Sequence, residues 1–240
     1  HNLPTALVSD TLNYPKFYIH DTTEYVRQSL AIWEELGFEF DAISTGFIVT
    51  EEETRIISDF CHRRAQKGTK VFVDPIMGDN GKLYAGVPES TIGLMRSLVE
   101  CADYAVPNYT EACLLTDTPI AEEITADEAR ALVDAMLALG TKSVVITSAK
   151  VDGASAVVGY DHVAGEYFEI PFELIPVYFP GTGDTFSAVL MGRVMSGWSL
   201  QRATADAMRV VAELIERNAD QEDKSAGLPI EACLDVIDHE

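Results

Sequence analysis

Apolar and polar positions along the chain switch repeatedly between a helical period and a strand period. Val26, Leu30, Trp33 and Leu36 fall on one helical face, behind Asp21 and Glu24 at capping-box spacing, with Gly37 as a stop. Further helices are predicted over 51–67, with an acidic first turn, over 88–100, and from Pro107-Asn108 onward with Glu111 in the first turn. Thr125 and Glu128 repeat the capping-box spacing before a helix that runs to Leu139-Gly140. Two helices broken near Gly197-Trp198-Ser199 are expected over 184–217, and one last helix over 230–237. Between them, 40–48, 70–74, 103–106 and 142–148 read as strands, and 154–160 with 166–171 as an antiparallel hairpin. Strands alternating with helices, then an antiparallel pair, predict an α/β fold with a mostly parallel sheet and an antiparallel edge. No internal repeat or low-complexity linker interrupts residues 1–240, so a single domain is expected. The segment 3–8 looks like the end of a strand already under way, so the first strand and helix of such a domain are expected to be missing.

Composition narrows the partners. Of 240 residues, 47% are hydrophobic and 23% charged, the balance of a globular chain with ample core. With 17 Lys+Arg against 39 Asp+Glu the net charge is −22, and no basic cluster exists to bind a nucleic acid backbone. An anionic small molecule must then be held by helix N-termini, backbone N–H groups or a bound cation. No apolar run is long enough for a membrane span and no signal peptide opens the sequence. The four cysteines are scattered without a CxxC pair and read as reduced thiols of a cytoplasmic protein. The five histidines are equally dispersed, which disfavours a zinc site or a His-based triad.

The chemistry-bearing residues sit after strands. Gly181-Thr182-Gly183-Asp184 precedes an apolar helical run, so its backbone N–H groups can cradle an anion with Asp184 as the first helical residue beside it. Such a pairing suits phosphoryl transfer, although a plain glycine turn with an Asp cap has the same spelling. Asp74 ends one strand and Asp79 follows it. Asn108 and Glu111 stand one helical turn apart after another, where they suit either a hydrated Mg²⁺ or a capping box. Thr147 and Ser148 close the central strand, where hydroxyls can meet phosphates. Four such junctions at the same sheet edge, with no GxxxxGK[ST] anywhere, imply a nucleotide-dependent kinase lacking that loop.

DPIMGDNGKLY (74–84), ADYAVPNYTEACLL (102–115), VVITS (144–148) and GTGDTFSAVLMG (181–192) resemble, in order and spacing, the pyridoxal (pyridoxine, pyridoxamine) kinase family of the ribokinase-like superfamily. LPTALVS (3–9) and FDAISTGF (40–47) extend the resemblance over nearly the whole chain. It implies a three-layer α/β/α kinase that phosphorylates the 5′-hydroxymethyl of a B6 vitamer with ATP and Mg²⁺, assisted by K⁺, as a homodimer. It further implies Asp184 as base, Gly181, Thr182 and Gly183 as anion hole, and Asp74, Asn108 and Glu111 around phosphates and metal, with Asp79 close to the metal. Thr147 and Ser148 would contact ATP under a loop carrying Tyr84, and Ser9, Thr11 and Phe47 would face the substrate. Family members usually read SNHTG where this chain has Ser9-Asp10-Thr11, and Tyr where it has Phe47. A hydroxymethylpyrimidine kinase shares the fold and the loop, and a silent B6- or nucleotide-binding sensor is the reading from another class.

Overall fold

The computed structural model describes residues 1–9, 16–48, 50–84 and 86–237. Its strands are β1 (Ala6–Val8), β2 (Ile19–Asp21), β3 (Ala42–Thr45), β4 (Lys70–Val73), β5 (Gly78–Asp79), β6 (Lys82–Leu83), β7 (Tyr104–Ala105), β8 (Ser143–Val151), β9 (Ala154–Asp161) and β10 (Glu166–Phe172). Its α-helices are α1 (Thr23–Glu35), α2 (Glu51–Ala65), α3 (Ser90–Glu100), α4 (Tyr109–Thr116), α5 (Ala126–Ala138), α6 (Thr182–Met195) and α7 (Leu200–Arg217). Two compact units emerge, His1–Leu7 with Ile19–Pro171 and Val8–Tyr18 with Phe172–Glu240.

The first unit is organised by a six-stranded sheet in the order β10-β9-β8-β7-β4-β3. β3, β4, β7 and β8 run parallel, and β9 turns back antiparallel on β8, so the expected α/β class with an antiparallel edge is observed. Ile43 pairs with Val71 and Thr45 with Val73, which puts the valines of β4 on one face. There they join Val26, Leu30, Phe60, Met95, Leu98, Val99, Ala105 and Ile146 in one buried core. The helices keep that core in place through local signals. Thr50 caps α2 by accepting from the Glu53 N–H, and Thr125 with Glu128 closes the expected capping box on α5. At the opposite end of the strands, buried Asp103 accepts from the Val71 N–H and pairs with Lys142 at 2.7 Å, fixing the start of β4 beside that of β7.

In the second unit α6 and α7 pack antiparallel across the Gly197 turn. Phe186, Val189 and Leu190 of α6 and Leu200, Ala203, Ala207, Val210 and Leu214 of α7 are buried. Asp206 is held by Arg193 at 2.8 Å and Arg209 at 2.9 Å, and these arginines also donate to the carbonyls of Ile237 and Val236.

Three expectations change. The strand end expected over 3–8 is β1, which pairs with the unforeseen β2 in a separate two-stranded sheet rather than joining the six-stranded one. α1 does not close a box on Asp21; Asp21 Oδ1 accepts from the Thr23 N–H and hydroxyl, while Glu24 is taken by Arg27 and Gln28. The last helix is two 3-10 turns, Ile230–Ala232 and Leu234–Val236, interrupted at Cys233 (φ −127°), with arginines of α6 and α7 capping its carbonyls. Thr125→Ala removes the α5 cap and is expected to cost about 1 kcal/mol, read as a lower urea midpoint with an unchanged m-value.

Candidate functional site

Parallel strands deliver their C-terminal ends to one edge of a sheet, where the following loops can converge on a ligand. β4 ends at Val73, and the Asp74 N–H donates to the Thr45 carbonyl at 3.2 Å, so Asp74 stands just beyond β3 and β4. The chain then makes the β5–β6 hairpin. Its turn is Asn80-Gly81, both at positive φ (52° and 79°), the signature of a tight two-residue hairpin. Gly78 must lack a side chain, since a Cβ there would meet the Lys82 carbonyl oxygen at 2.5 Å.

The hairpin is tied to the start of α4 by three side chains. Asn108 caps α4, its Oδ1 accepting from the Glu111 N–H at 2.9 Å and its Nδ2 donating to the Gly78 carbonyl at 2.8 Å. Glu111, the third helical residue, returns the capping box by accepting from the Asn108 N–H at 2.9 Å. Its other oxygen accepts from the Met77 N–H at 3.0 Å and the Gly78 N–H at 3.4 Å. Thr110 adds a fourth tie by accepting from the Gly81 N–H at 2.9 Å. Glu111 is only 3% exposed. Its pKa is pushed up to about 8 by burial, and further by the Asp74 carboxylate nearby, against the pull of its backbone donors.

Of the residues singled out in the sequence, Asp74, Asn108 and Glu111 are brought together here, and the capping-box alternative for the last two is the one formed. The Asp79 carboxylate turns to the Asn80 N–H and Nδ2 at 2.7 and 3.0 Å. Among the described residues no group of three or more His, Cys, Asp or Glu is placed to hold a metal ion. Tyr84 follows β6, its N–H bonded to the Met77 carbonyl at 3.0 Å. Thr147 pairs with Asn108 in an isolated parallel bridge. Thr147 and Ser148 do not end their strand as expected: β8 continues to Val151 because β9 pairs with it across an irregularity between Ile146 and Ala149. Ser148 sits inside that irregularity, exposed, at φ +61°, a left-handed conformation that costs a non-glycine residue about 1 kcal/mol or more.

On the substrate side of the expectation, the Phe47 carbonyl accepts from the Thr5 hydroxyl at 2.5 Å. Ser9 Oγ accepts from the Tyr18 N–H at 2.9 Å. Thr11 lies outside the described residues.

In the second unit Gly181 is the N-cap of α6 at φ +83°, a conformation open to glycine, and the first intrahelical bond runs from the Thr185 N–H to the Gly181 carbonyl. The N–H groups of Thr182, Gly183 and Asp184 precede that bond and so have no acceptor within the helix. Asp184 is therefore the third helical residue, not the first as expected, because the helix begins at Thr182. It keeps solvent-accessible surface, yet the protein around it raises its carboxyl above the usual range by desolvation. A Cβ on Gly183 would meet nothing within 4 Å.

The sequence reading missed the β5–β6 hairpin and the roles of Gly78 and Thr110. The Asn80-Gly81 dipeptide was the available signal for the hairpin; nothing in the local sequence marks Thr110 as its anchor. A titration of Glu111 is expected to show in stability. The group is neutral in the fold up to about pH 8 but ionises near its ordinary value of 4.5 when unfolded. The folded state therefore binds the extra proton in that window, and stability falls as pH rises through it, by on the order of a few kcal/mol. Denaturant midpoints in a chelator are expected to fall more steeply with pH for the parent protein than for Glu111→Gln, and Mg²⁺ should flatten the parent's slope.

The profile of the phosphomethylpyrimidine kinase family matches residues 4–228. Pyridoxal kinase of Arabidopsis thaliana is 34% identical over 174 residues, 68% of this chain and 53% of that protein. The chain spans about half the length of the first curated relatives it matches. A candidate phosphomethylpyrimidine kinase from Bacteroides thetaiotaomicron, in the crystal form with pyridoxal, superposes with a TM-score of 0.92 at 32% identity, over 99% of this chain and 84% of that one. Pyridoxal kinase from Lactobacillus plantarum gives a TM-score of 0.85 at 27% identity, over 98% of this chain and 84% of that one. Fold and sequence agree with the motifs along the chain, which belongs to the phosphomethylpyrimidine kinase family.

Proposed function

We propose that this chain transfers the γ-phosphoryl group of ATP to the 5′-hydroxymethyl of pyridoxal, pyridoxine or pyridoxamine. The observation that carries the reading is the start of α6, where free backbone N–H groups and a glycine at positive φ stand beside a carboxylate. In the reaction Asp184 accepts the hydroxyl proton, the freed oxygen bonds to the γ-phosphorus, and the bond to the bridging oxygen breaks to release ADP. Gly181, Thr182 and Gly183 contribute N–H groups and the positive end of the helix to the migrating phosphoryl. Thr147, Ser148 and Tyr84 are assigned to the nucleotide, and Ser9, Thr11 and Phe47 to the pyridine substrate. The named relatives and the pyridoxal in the Bacteroides crystal form support the B6 reading over a hydroxymethylpyrimidine kinase.

Asp74 and Glu111 fit a hydrated Mg²⁺, because the Asp74 carboxylate raises the cost of ionising Glu111 and a cation relieves it. Bound there with Asn108 and Asp79 nearby in sequence, Mg²⁺ would neutralise phosphate charge on a protein of net charge −22. A monovalent cation such as K⁺ belongs to the same proposal. So does a homodimer, supported by the exposed Leu7, Tyr25, Ile32 and Leu36 of the β1–α1 region. Four free thiols suit a reducing cytoplasmic compartment. Among the described residues no helix is long and apolar enough to cross a membrane.

Two substitutions test the assignment. Asp184→Asn is expected to lower kcat by about 10³-fold with little change in ATP affinity by titration calorimetry. In the parent enzyme kcat should fall as pH drops through a pKa above the ordinary carboxylate range, since the base works only when deprotonated. Gly183→Ala introduces no clash and removes a flexible residue from a helix, so it should keep or slightly raise the melting temperature. It should nevertheless cut kcat by about 10²-fold by crowding the phosphoryl; an active Gly183→Ala enzyme would remove the cradle from the account.

A further inference from the structure

Cys61 lies on α2 with no exposed surface, and Cys101 follows the last residue of α3, half-buried. Both are free thiols. The helices that carry them are packed together: Ser58 of α2 donates its hydroxyl to the Ser97 carbonyl of α3 at 3.3 Å. α2 leads into β4 and α3 into the parallel strand β7, so the helices run the same way and the contact continues one turn further along, where Cys61 and Cys101 share the α2–α3 seam and the Cys101 thiol donates to the Leu98 carbonyl at 3.1 Å. Two thiols on different elements at one helix seam, with one reachable from solvent, form the constellation that thiol–disulfide exchange requires.

We propose that Cys61 and Cys101 are a redox-active dithiol, which closes to an intramolecular disulfide when the protein meets a low-molecular-weight disulfide. The roles differ by position. Cys101 is the attacking residue, because it is accessible and the neighbouring Cys61 thiol favours its thiolate, against its partial burial and the charges of Glu100 and Asp103. Cys61 is the resolving residue, since burial beside the Cys101 sulfur holds it protonated. Cys101 sulfur attacks one sulfur of the oxidant, the oxidant's S–S bond breaks, and one small thiolate leaves. Cys61 sulfur then attacks Cys101 Sγ in the mixed disulfide and expels the second. The two protein thiol protons end on the two small thiols, so one disulfide is reduced as one is formed. The closed loop runs from residue 61 to 101 and contains β4 and the β5–β6 hairpin, with Asp74, Asp79 and Tyr84. The inference concerns the thiol pair alone and does not depend on the phosphoryl-transfer reading.

The test is to expose the reduced, folded full chain to glutathione disulfide, quench with acid, and map linked peptides by mass spectrometry without reductant. The expected main product joins the Cys61 and Cys101 peptides with the loss of two hydrogens. Cys101→Ser should reduce total glutathione incorporation and cross-linking by about tenfold or more. Cys61→Ala, in which the resolving thiol is gone, should instead accumulate glutathione on Cys101. A stable glutathione adduct on Cys101 in the parent chain would overturn the proposal, as would reaction at Cys113 or Cys233 in preference to this pair. No reaction at any cysteine in the folded chain would overturn it as well.

Discussion

One buried carboxylate governs the geometry of the sheet edge. Glu111 has almost no exposed surface and, among the described residues, no ion-pair partner, so ionising it would cost several kcal/mol and burial holds it neutral to about pH 8. The compensation is backbone: N–H groups of Met77, Gly78 and Asn108 converge on its two oxygens. Because the first two belong to the segment after β4 and the third to the start of α4, the same bonds that make Glu111 tolerable fix two loops against each other. Asn108 locks the arrangement by donating to the Gly78 carbonyl. The nearby Asp74 carboxylate raises the cost of ionising Glu111, which is what supports the proposal of a divalent cation at this edge.

The start of α6 suits the proposed task of holding an anion without basic side chains. A protein with 17 Lys+Arg against 39 Asp+Glu has no arginine clamp in its motifs, and a triphosphate would meet long-range repulsion. N–H groups at a helix start act at short range, where their attraction offsets that repulsion. Gly181 gives the backbone its turn, and Gly183 leaves the approach open. The raised pKa of Asp184 moves a carboxylate toward the range in which it can accept a proton from an alcohol as phosphorus–oxygen bonding develops.

Much of this was legible from residue order because the signals are local. The helix starts at Thr50 and Thr125, the valine-rich β4 and β8, and the glycine loop before α6 each announce themselves within a few residues. Asn108 and Glu111 were found by spacing alone, but spacing could not say which partner their side chains take, and the backbone took them. What stayed hidden depends on distant partners. β1 and β2 are three residues each and exist through one another, so neither has a period to detect. β8 outlasts its predicted end because β9 supplies hydrogen bonds beyond Ser148, and the strain at that residue is invisible in the residue name. The C-terminal turns are set by Arg193 and Arg209, more than 25 residues away in sequence.

The most direct measurement follows the phosphoryl group itself. The chain is incubated with Mg²⁺, ATP labelled at the γ-phosphate, and either pyridoxal or hydroxymethylpyrimidine, and the products are separated by chromatography. Label recovered as pyridoxal 5′-phosphate in amounts equal to the ADP formed, with the pyrimidine phosphorylated far more slowly, is the result the account predicts. Label retained in ATP, released only as inorganic phosphate, or carried mainly by the pyrimidine would contradict it.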